Sequence, residues 1–361
     1  MARIRLGIIG TGGMANAHAR NYADIPGVEL TACMDVVSER SRAFAEQHGF
    51  KHAVTEAADV FDACDAVSIV TPDKYHVPIL LEAFKADKHV LCEKPLALTL
   101  NDAKKAARAA VKASDRGLIH MVNFSHRSPV FHKARKVIES GRLGELRFFR
   151  SAYLQHWINA GSWGHWAEKE AWQWRLSKDA GSGGALGDVG CHILDYITAL
   201  TGPVKQLQCR FGNYPKYDHH GKKHTTFKGM KLDANDSALL TMVLEDGVVG
   251  SCDVTRLATG WPNEVVAEVY GTEGGLRVLQ GRFGQQLEGC LGKARHGNPP
   301  TWKDIPAPKA PNNWQAFIKG IKRGEPVQPD VVRGAEVQAY LDAAERSAAE
   351  GGKYVSVRKW M

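Results

Sequence analysis

What this sequence lacks narrows its function before any motif is read. It has no run of about eighteen apolar residues, so no membrane-spanning helix is expected. Its start, MARIRLGIIGTGG, has no apolar stretch ending in a cleavage site and leads straight into a strand pattern, so no export signal is expected and the chain is assigned to the cytoplasm. There are only 7 cysteines, an odd number, and none forms a CxxC pair, which argues against a disulfide framework or zinc cluster and fits reduced thiols. No zinc-finger, helix-turn-helix or RNP pattern is present, and the basic residues alternate with acidic ones. The net charge of +8 is therefore read as a lysine surplus that favours anionic cofactors, not as a nucleic-acid surface. Internal repeats and low-complexity tracts are absent as well. The histidines His219, His220 and His224 lie among lysines that oppose a cation, so no metal is expected and the stretch 215–231 is read as an exposed or subunit-contacting loop.

What is present is an ordinary globular chain of 361 residues, 44% hydrophobic and 24% charged, long enough for two domains. Up to about residue 125, short apolar runs alternate with amphipathic ones. Strands are expected at Ile4–Gly10, Glu29–Asp35, Ala66–Val70, His89–Cys92 and Leu118–Val122, with helices at Asn16–Asp24, Ser38–His48, Val77–Ala86 and Thr99–Ser114. That alternation implies a doubly wound α/β domain with a parallel sheet. From about residue 145 consecutive strands follow one another: LRFFRSAYLQHW, Val204–Phe211, Ser237–Leu244, Val248–Thr255, Val265–Tyr270 and Leu276–Leu279, divided by turns such as EDG and GTEGG. This pattern implies an α+β domain with an open, mostly antiparallel sheet. The expected division is 1–125 and 126–361, and of the closing helices Asn312–Arg323 and Val332–Glu350 the last is expected to return to the first domain.

The first strand runs into GIIGTGGMANAHA, where Gly10, Gly12 and Ala15 fill G-x-G-x-x-A and Thr11, Gly13 and Met14 complete the turn. A strand before and a helix after supply the context that this dinucleotide fingerprint requires. The helix N-terminus then favours a pyrophosphate. Asp35, at the end of the second strand, is placed to accept hydrogen bonds from ribose hydroxyls, which favours NAD; neighbouring Arg40 keeps NADP as the alternative. The competing reading of Asp35 is a cap for the helix starting near Ser38. Two further motifs bear chemistry. CEKP brings Glu93 and Lys94 to the carboxyl end of a strand, where open α/β sheets bind ligands, with a Lys–Pro bond open to the cis form. GSGGALGDVGCHILDY places Asp188 and His192 four apart on one helix face, a pairing suited to proton transfer, with Asp195 three residues on as a cap or brace. The bland alternative makes Asp188 a helix cap and His192 a packed core residue.

Together GIIGTGGMA, TPDKYH (71–76), CEKPLA (92–97) and GGALGDVGCHILD (183–195) resemble the glucose–fructose oxidoreductase, inositol dehydrogenase and rhizopine catabolism family, Gfo/Idh/MocA, and the likeness extends over nearly the whole chain. The resemblance implies a Rossmann domain followed by an α+β domain whose open sheet makes oligomer contacts, as a homodimer or homotetramer. It implies Lys94, Asp188 and His192 as the catalytic set and puts Thr71, Pro72, His76 and Glu93 near the cofactor. By position in the family pattern, Asn123, Arg127, Tyr153 and Arg175 fall at the substrate cleft, although Arg127 also fits a surface ion pair. Two departures stand out: Ala15 at the third glycine position, and a Trp-rich insertion.

That insertion holds Trp157, Trp163, Trp166, Trp172 and Trp174. Indole faces stack on the CH face of a sugar ring, which points to a carbohydrate or cyclitol, with Trp163 among the substrate contacts; plain packing is expected to account for about half of these residues. The expected function is NAD(P)-dependent hydride transfer at a secondary alcohol or ketone of a sugar, glycoside or polyol. The alternative on the same fold is an NAD-dependent glycosidase that oxidises transiently and eliminates.

Overall fold

A computed structural model describes residues 3–360, which form two compact units. Of these, 3–125, 311–339 and 359–360 make up the first, and His126–Ala310 and Tyr340–Arg358 the second. Residues 311–339, counted by the sequence pattern with 126–361, thus cluster with the first unit, and the long helix Val331–Ala349 is divided between the two.

In the first unit, strands β1 (Ile4–Ile9), β2 (Val28–Met34), β3 (His52–Val54), β4 (Ala66–Ile69), β5 (His89–Cys92) and β6 (His120–Val122) form one parallel sheet in the order β3-β2-β1-β4-β5-β6. This is the doubly wound order whose ligand crevice opens where the order reverses, between β1 and β4. Helices α1 (Ala15–Ala23), α2 (Ser38–His48), α3 (Ala57–Ala63), α4 (His76–Lys85) and α5 (Leu100–Asp115) make the crossovers. Helix α1 buries Ala15, His18, Ala19 and Tyr22, the 3–4 spacing of a single stripe. Helix Asn313–Arg323 carries a full capping box, Asn312 with Gln315, and contributes Trp314, Phe317 and Ile318 to the same core as Leu6, Tyr22, Leu91 and Met121. Strand β3 and helix α3 were not anticipated: HAV and AADVFDA are too short to show a period.

In the second unit, helix α6 (Pro129–Glu139) precedes β7 (Leu146–Gln155). Strands β8 (Val204–Gly212), β9 (Lys216–Tyr217), β10 (Lys223–His224), β11 (Thr226–Phe227), β12 (Met230–Lys231), β13 (Ser237–Leu244), β14 (Val249–Thr255), β15 (Asn263–Gly271), β16 (Gly274–Gly281), β17 (Gly284–Leu291), β18 (Lys303–Asp304) and β19 (Val355–Ser356) follow. Nine of them make one sheet in the order β18-β17-β16-β15-β7-β14-β13-β8-β19. Its pairs are antiparallel except β7 with β14. Alternation along these strands leaves one face exposed: Phe148 and Val249 lie in register, as do Leu239 and Asp253.

The stretch 215–231 departs from its expected loop. It folds into two short strand pairs, β9 with β10 and β11 with β12. Lys216, far from being solvated, is 1% exposed and pairs with buried Asp236 at 2.7 Å. His224 bonds Asp218 at 2.8 Å, and Trp166 packs on His224 and Phe227.

Candidate active site

The glycine turn is built around one tight approach. Gly10 has φ +93°, and a Cβ there would lie 2.7 Å from the Val70 carbonyl oxygen, so only glycine fits between β1 and β4. Gly12 and Gly13 are the opposite case: a Cβ on either would meet nothing within 4 Å, which leaves their backbone open to a ligand. Ala15 is fully buried where α1 begins, and Met14, half exposed, caps that helix. The Asp35 carboxylate accepts hydrogen bonds from the Thr11 amide at 3.3 Å, the Thr11 hydroxyl at 2.7 Å and the Val37 amide at 3.0 Å. Burial alone would raise its pKa; the Thr11 and Val37 bonds and the Arg40 charge outweigh that and lower it. Asp35 therefore ties the glycine turn to the end of β2, while Arg40 stays exposed in the first turn of α2.

Beyond β4, Thr71 Oγ1 is buried and, among the described residues, has no hydrogen-bond partner. Pro72 is exposed. His76 is 1% exposed and spans two backbone carbonyls, Thr71 O and Pro95 O, each at 2.8 Å. It thus joins the segment after β4 to the one after β5. Open backbone at Gly12 and Gly13, a carboxylate at Asp35 and an orphaned hydroxyl at Thr71 fit a dinucleotide: phosphates at the turn, ribose at Asp35.

Lys94 is half-buried after β5, and the Lys94–Pro95 peptide is cis. Behind it runs a buried polar chain that sequence reasoning missed. Glu93 Oε1 accepts from Asn123 Nδ2 at 2.6 Å and meets His18 Nε2 at 2.8 Å, while Glu93 Oε2 accepts from the Lys94 amide at 3.2 Å. His18 Nδ1 contacts Ser68 Oγ at 3.0 Å, and Asn313 donates to Asn123 Oδ1 at 3.0 Å. Burial works to raise the Glu93 pKa, but the His18 and Asn123 hydrogen bonds and nearby charges hold it at about 2. This geometry changes the task of Asn123. Expected at the substrate cleft, it is 1% exposed, with its amide committed to Glu93 and Asn313. His18 stood inside the quoted motif, three residues past Ala15, and its i+3 place on the buried stripe was the available signal.

In the second unit, Asp188 and His192 lie in a helix interrupted by a π turn, Leu186–Gly190, in which the Cys191 amide bonds Leu186 O. Asp188 is thus inside the turn and not a helix cap. Such bulges recur at functional sites. Asp188 Oδ2 accepts from Arg256 Nη2 at 3.0 Å and lies 3.7 Å from Arg175 Nε. The Arg175 guanidinium lies 4.9 Å from the Trp172 ring centroid and 4.6 Å from that of Trp174. Trp163 stacks on Trp172 at 6.2 Å, and Trp172 on Trp157 at 5.4 Å. Trp157 and Trp166 are core residues at 2% and 0% exposure, whereas Trp174 is 45% exposed, so the indoles divide between packing and surface.

His192 meets His126 edge to face, centroids 4.7 Å apart, and Tyr153 at 6.1 Å. The Tyr153 hydroxyl donates to Asn263 Oδ1 at 3.0 Å, which leaves His126 Nε2, 2.8 Å away, to donate to it. Burial, reinforced by the Asp188 charge, pushes the Tyr153 hydroxyl above the ordinary tyrosine range. His126 was not singled out from the sequence. Arg127 makes the ion pair of its alternative reading, but a buried one and not at the surface: it is 5% exposed, and its Nε at 2.9 Å and Nη2 at 2.6 Å donate to Asp195. Asp195, anticipated as a brace, anchors the segment preceding α6 to the helix Cys191–Thr201. Among the described residues no group of His, Cys, Asp and Glu is arranged to hold a metal ion, and no helix is long and apolar enough to cross a membrane.

Comparison with known proteins bears on this geometry. Residues 4–123 match the family model described as "Oxidoreductase family, NAD-binding Rossmann fold", and residues 131–277 match "GFO/IDH/MocA C-terminal domain". Levoglucosan dehydrogenase of Pseudarthrobacter phenanthrenivorans is 28% identical over 97% of each chain. Inositol 2-dehydrogenase of Rubrobacter xylanophilus is 36% identical over 45% of this chain and 48% of its own. A crystal structure of levoglucosan dehydrogenase in complex with NADH and L-sorbose superposes with a TM-score of 0.85 at 25% identity, covering 99% of this chain and 100% of that one. The chain therefore belongs to the GFO/IDH/MocA oxidoreductase family and is an NAD-dependent oxidoreductase with that family's Rossmann domain and C-terminal domain.

Proposed function

We propose that the protein oxidises a secondary hydroxyl of a sugar or cyclitol, or reduces the matching ketone. Residues 1–125 serve the cofactor, and 126–361 serve the substrate and oligomer contacts. The observation that carries this reading is the surround of Asp188: a carboxylate held against Arg175, whose guanidinium lies against two indoles, one of them exposed. Paired charges suit vicinal hydroxyls, and indole faces suit a ring's CH face. The named relatives act on levoglucosan and inositol, both of this chemical type, and a transient-oxidation glycosidase finds no counterpart among them.

In this reading His192 takes the proton from the substrate hydroxyl, and returns it in the reverse direction. Lys94 donates a hydrogen bond to the same oxygen and stabilises its developing negative charge. Asp188 accepts from a substrate hydroxyl, and Tyr153 with His126 fixes the His192 ring. Trp163 and Arg175 line the sugar. The nicotinamide, when bound, supplies the acceptor for the hydride from the substrate carbon. Gly10, Thr11, Gly12, Gly13 and Met14 hold its phosphates, and Thr71, Pro72, His76 and Glu93 shape the pocket. Asp35 favours NAD over NADP, because a carboxylate repels a 2′-phosphate.

A homodimer or homotetramer formed through the exposed sheet face is supported by Phe148 at 43%, Val249 at 46% and Leu239 at 57% exposure. A cytoplasmic location is supported by seven free, buried cysteines. The test is incubation with NAD or NADP and a panel of anhydrosugars, sugars and cyclitols, following nicotinamide absorbance. A protein whose melting temperature rises with NAD but which turns over none of these substrates would sink the reading.

A further inference from the structure

A buried guanidinium lies directly behind Asp188. Arg256 follows β14 and is 0% exposed. Its Nη2 donates to Asp188 Oδ2 at 3.0 Å and to the Gly184 carbonyl at 2.8 Å, and its Nη1 donates to the Arg175 carbonyl at 3.0 Å. The indole of Trp157 lies 5.4 Å from the guanidinium carbon. Burial opposes the charge of Arg256, and the Asp188 carboxylate opposes that loss. An arginine does not escape burial by losing its proton, so its partners must compensate the charge. The two carbonyls it holds are informative. Gly184 opens the helix that carries the π turn, and Arg175 lies in the turn whose own side chain faces Asp188. One rigid fork thus joins the carboxylate to both segments that frame it, which a flexible point charge cannot do.

We propose that Arg256 is the positioning residue for Asp188: it fixes the carboxylate's orientation and keeps it an anion, so that Asp188 receives a substrate hydroxyl and never donates to it. This inference rests on Asp188 contacting the substrate. Removing a neighbouring cation makes a carboxylate easier to protonate. The loss of Arg256 therefore moves the acid limb of the kcat/KM profile to higher pH.

The experiment compares Asp188→Asn, Arg256→Lys, Arg256→Gln and the double variant Asp188→Asn/Arg256→Gln, each with a melting curve in the presence of NAD. Arg256→Gln is expected to raise the KM for sugar or cyclitol about ten-fold, the scale of a lost hydrogen bond to a charged group. Its acid limb is expected to move to higher pH. Arg256→Lys, which keeps the cation, is expected to restore most of the pH profile but not the KM. In the Asp188→Asn background, Arg256→Gln is expected to add less than about two-fold, because residues that act through one another are not additive. Should Arg256→Gln fail to accumulate folded, Arg256→Lys carries the KM measurement, and an unchanged KM there overturns the proposal. An unmoved acid limb, or losses that multiply in the double variant, assigns Arg256 a purely structural role and also overturns it. Wild-type kinetics for Asp188→Asn instead removes the reading of Asp188 itself, and this inference with it.

Discussion

The two units bury charge in different ways. In the first, the carboxylate of Glu93 is shared among a histidine, an asparagine amide and a backbone amide, and a second asparagine extends the chain. In the second, formal ion pairs are buried, Arg127 with Asp195 and Lys216 with Asp236, and a buried Arg256 meets the partly exposed Asp188. Losing one neutral member of a shared hydrogen-bond network leaves a polar group short of a partner, at about 1–3 kcal/mol. Removing one partner of a buried ion pair strands a charge and costs more, about 3–5 kcal/mol. The difference matches the tasks assigned to the two units. A cofactor turn is made mostly of backbone and needs its strand ends kept in place. A substrate site that moves protons needs side chains held at fixed angles by strong partners.

The sharpest test of this contrast is catalytic. His192→Ala is expected to lower kcat by about 10²–10⁴-fold with NAD binding intact, read from nicotinamide absorbance and a melting curve. Wild-type turnover would remove the proton-transfer role and, with it, the reason for a rigid second unit. Next is Arg127→Ala, which leaves Asp195 buried without its partner and is expected to cost about 3–5 kcal/mol in denaturant unfolding. If Asn313→Ala, at the end of the first unit's chain, costs as much, the two units do not differ in the way described. Gly10→Ala comes third: strain at positive φ and contact with Val70 O together are expected to cost about 1–3 kcal/mol and to abolish the NAD-dependent rise in melting temperature.

A fourth test uses pH. Because Glu93 titrates lower in the folded chain than its ordinary value of 4.5, its contribution is complete above about 4.5 and fades as pH falls toward about 2. The stability gap between wild type and Glu93→Gln should narrow across that window; a constant gap would mean that the network does not favour the anion. The smallest effect is expected for Asp35→Asn, which should weaken NAD several-fold and narrow the preference over NADP, read by comparing the two nucleotides in melting curves. A larger melting shift with NADP than with NAD in the wild type would reverse the role given to Asp35.

Some of this was legible in the chain and some was not, and the boundary is physical. Strand, glycine turn and helix from Ile4 to Ala23 are local, so the spacing of Gly10, Gly12, Ala15 and Asp35 carries their meaning. The same holds for strands β7 and β13, whose period-2 alternation announces one covered and one open face. The short elements β3 and α3 escaped because a few residues show no period. Asn123 and Arg127 were assigned by position, and each is committed to a buried partner; Lys216, inside the stretch read as a loop, is buried against Asp236. His126 and Arg256 were overlooked because nothing next to them in sequence marks them, and His18 although its place on the buried stripe of α1 does.

The sequence alone determined the alternation of the first unit's longer strands and helices, the nucleotide-binding turn and the family, since each of these is carried by runs of neighbouring residues. Only the tertiary structure decided which buried charges meet. Arg256 and Asp188 are 68 positions apart, as are Arg127 and Asp195, and His18 and Glu93 are separated by 75. Partners at such separations are chosen by the packed chain, because burial makes an unmatched charge too costly to keep.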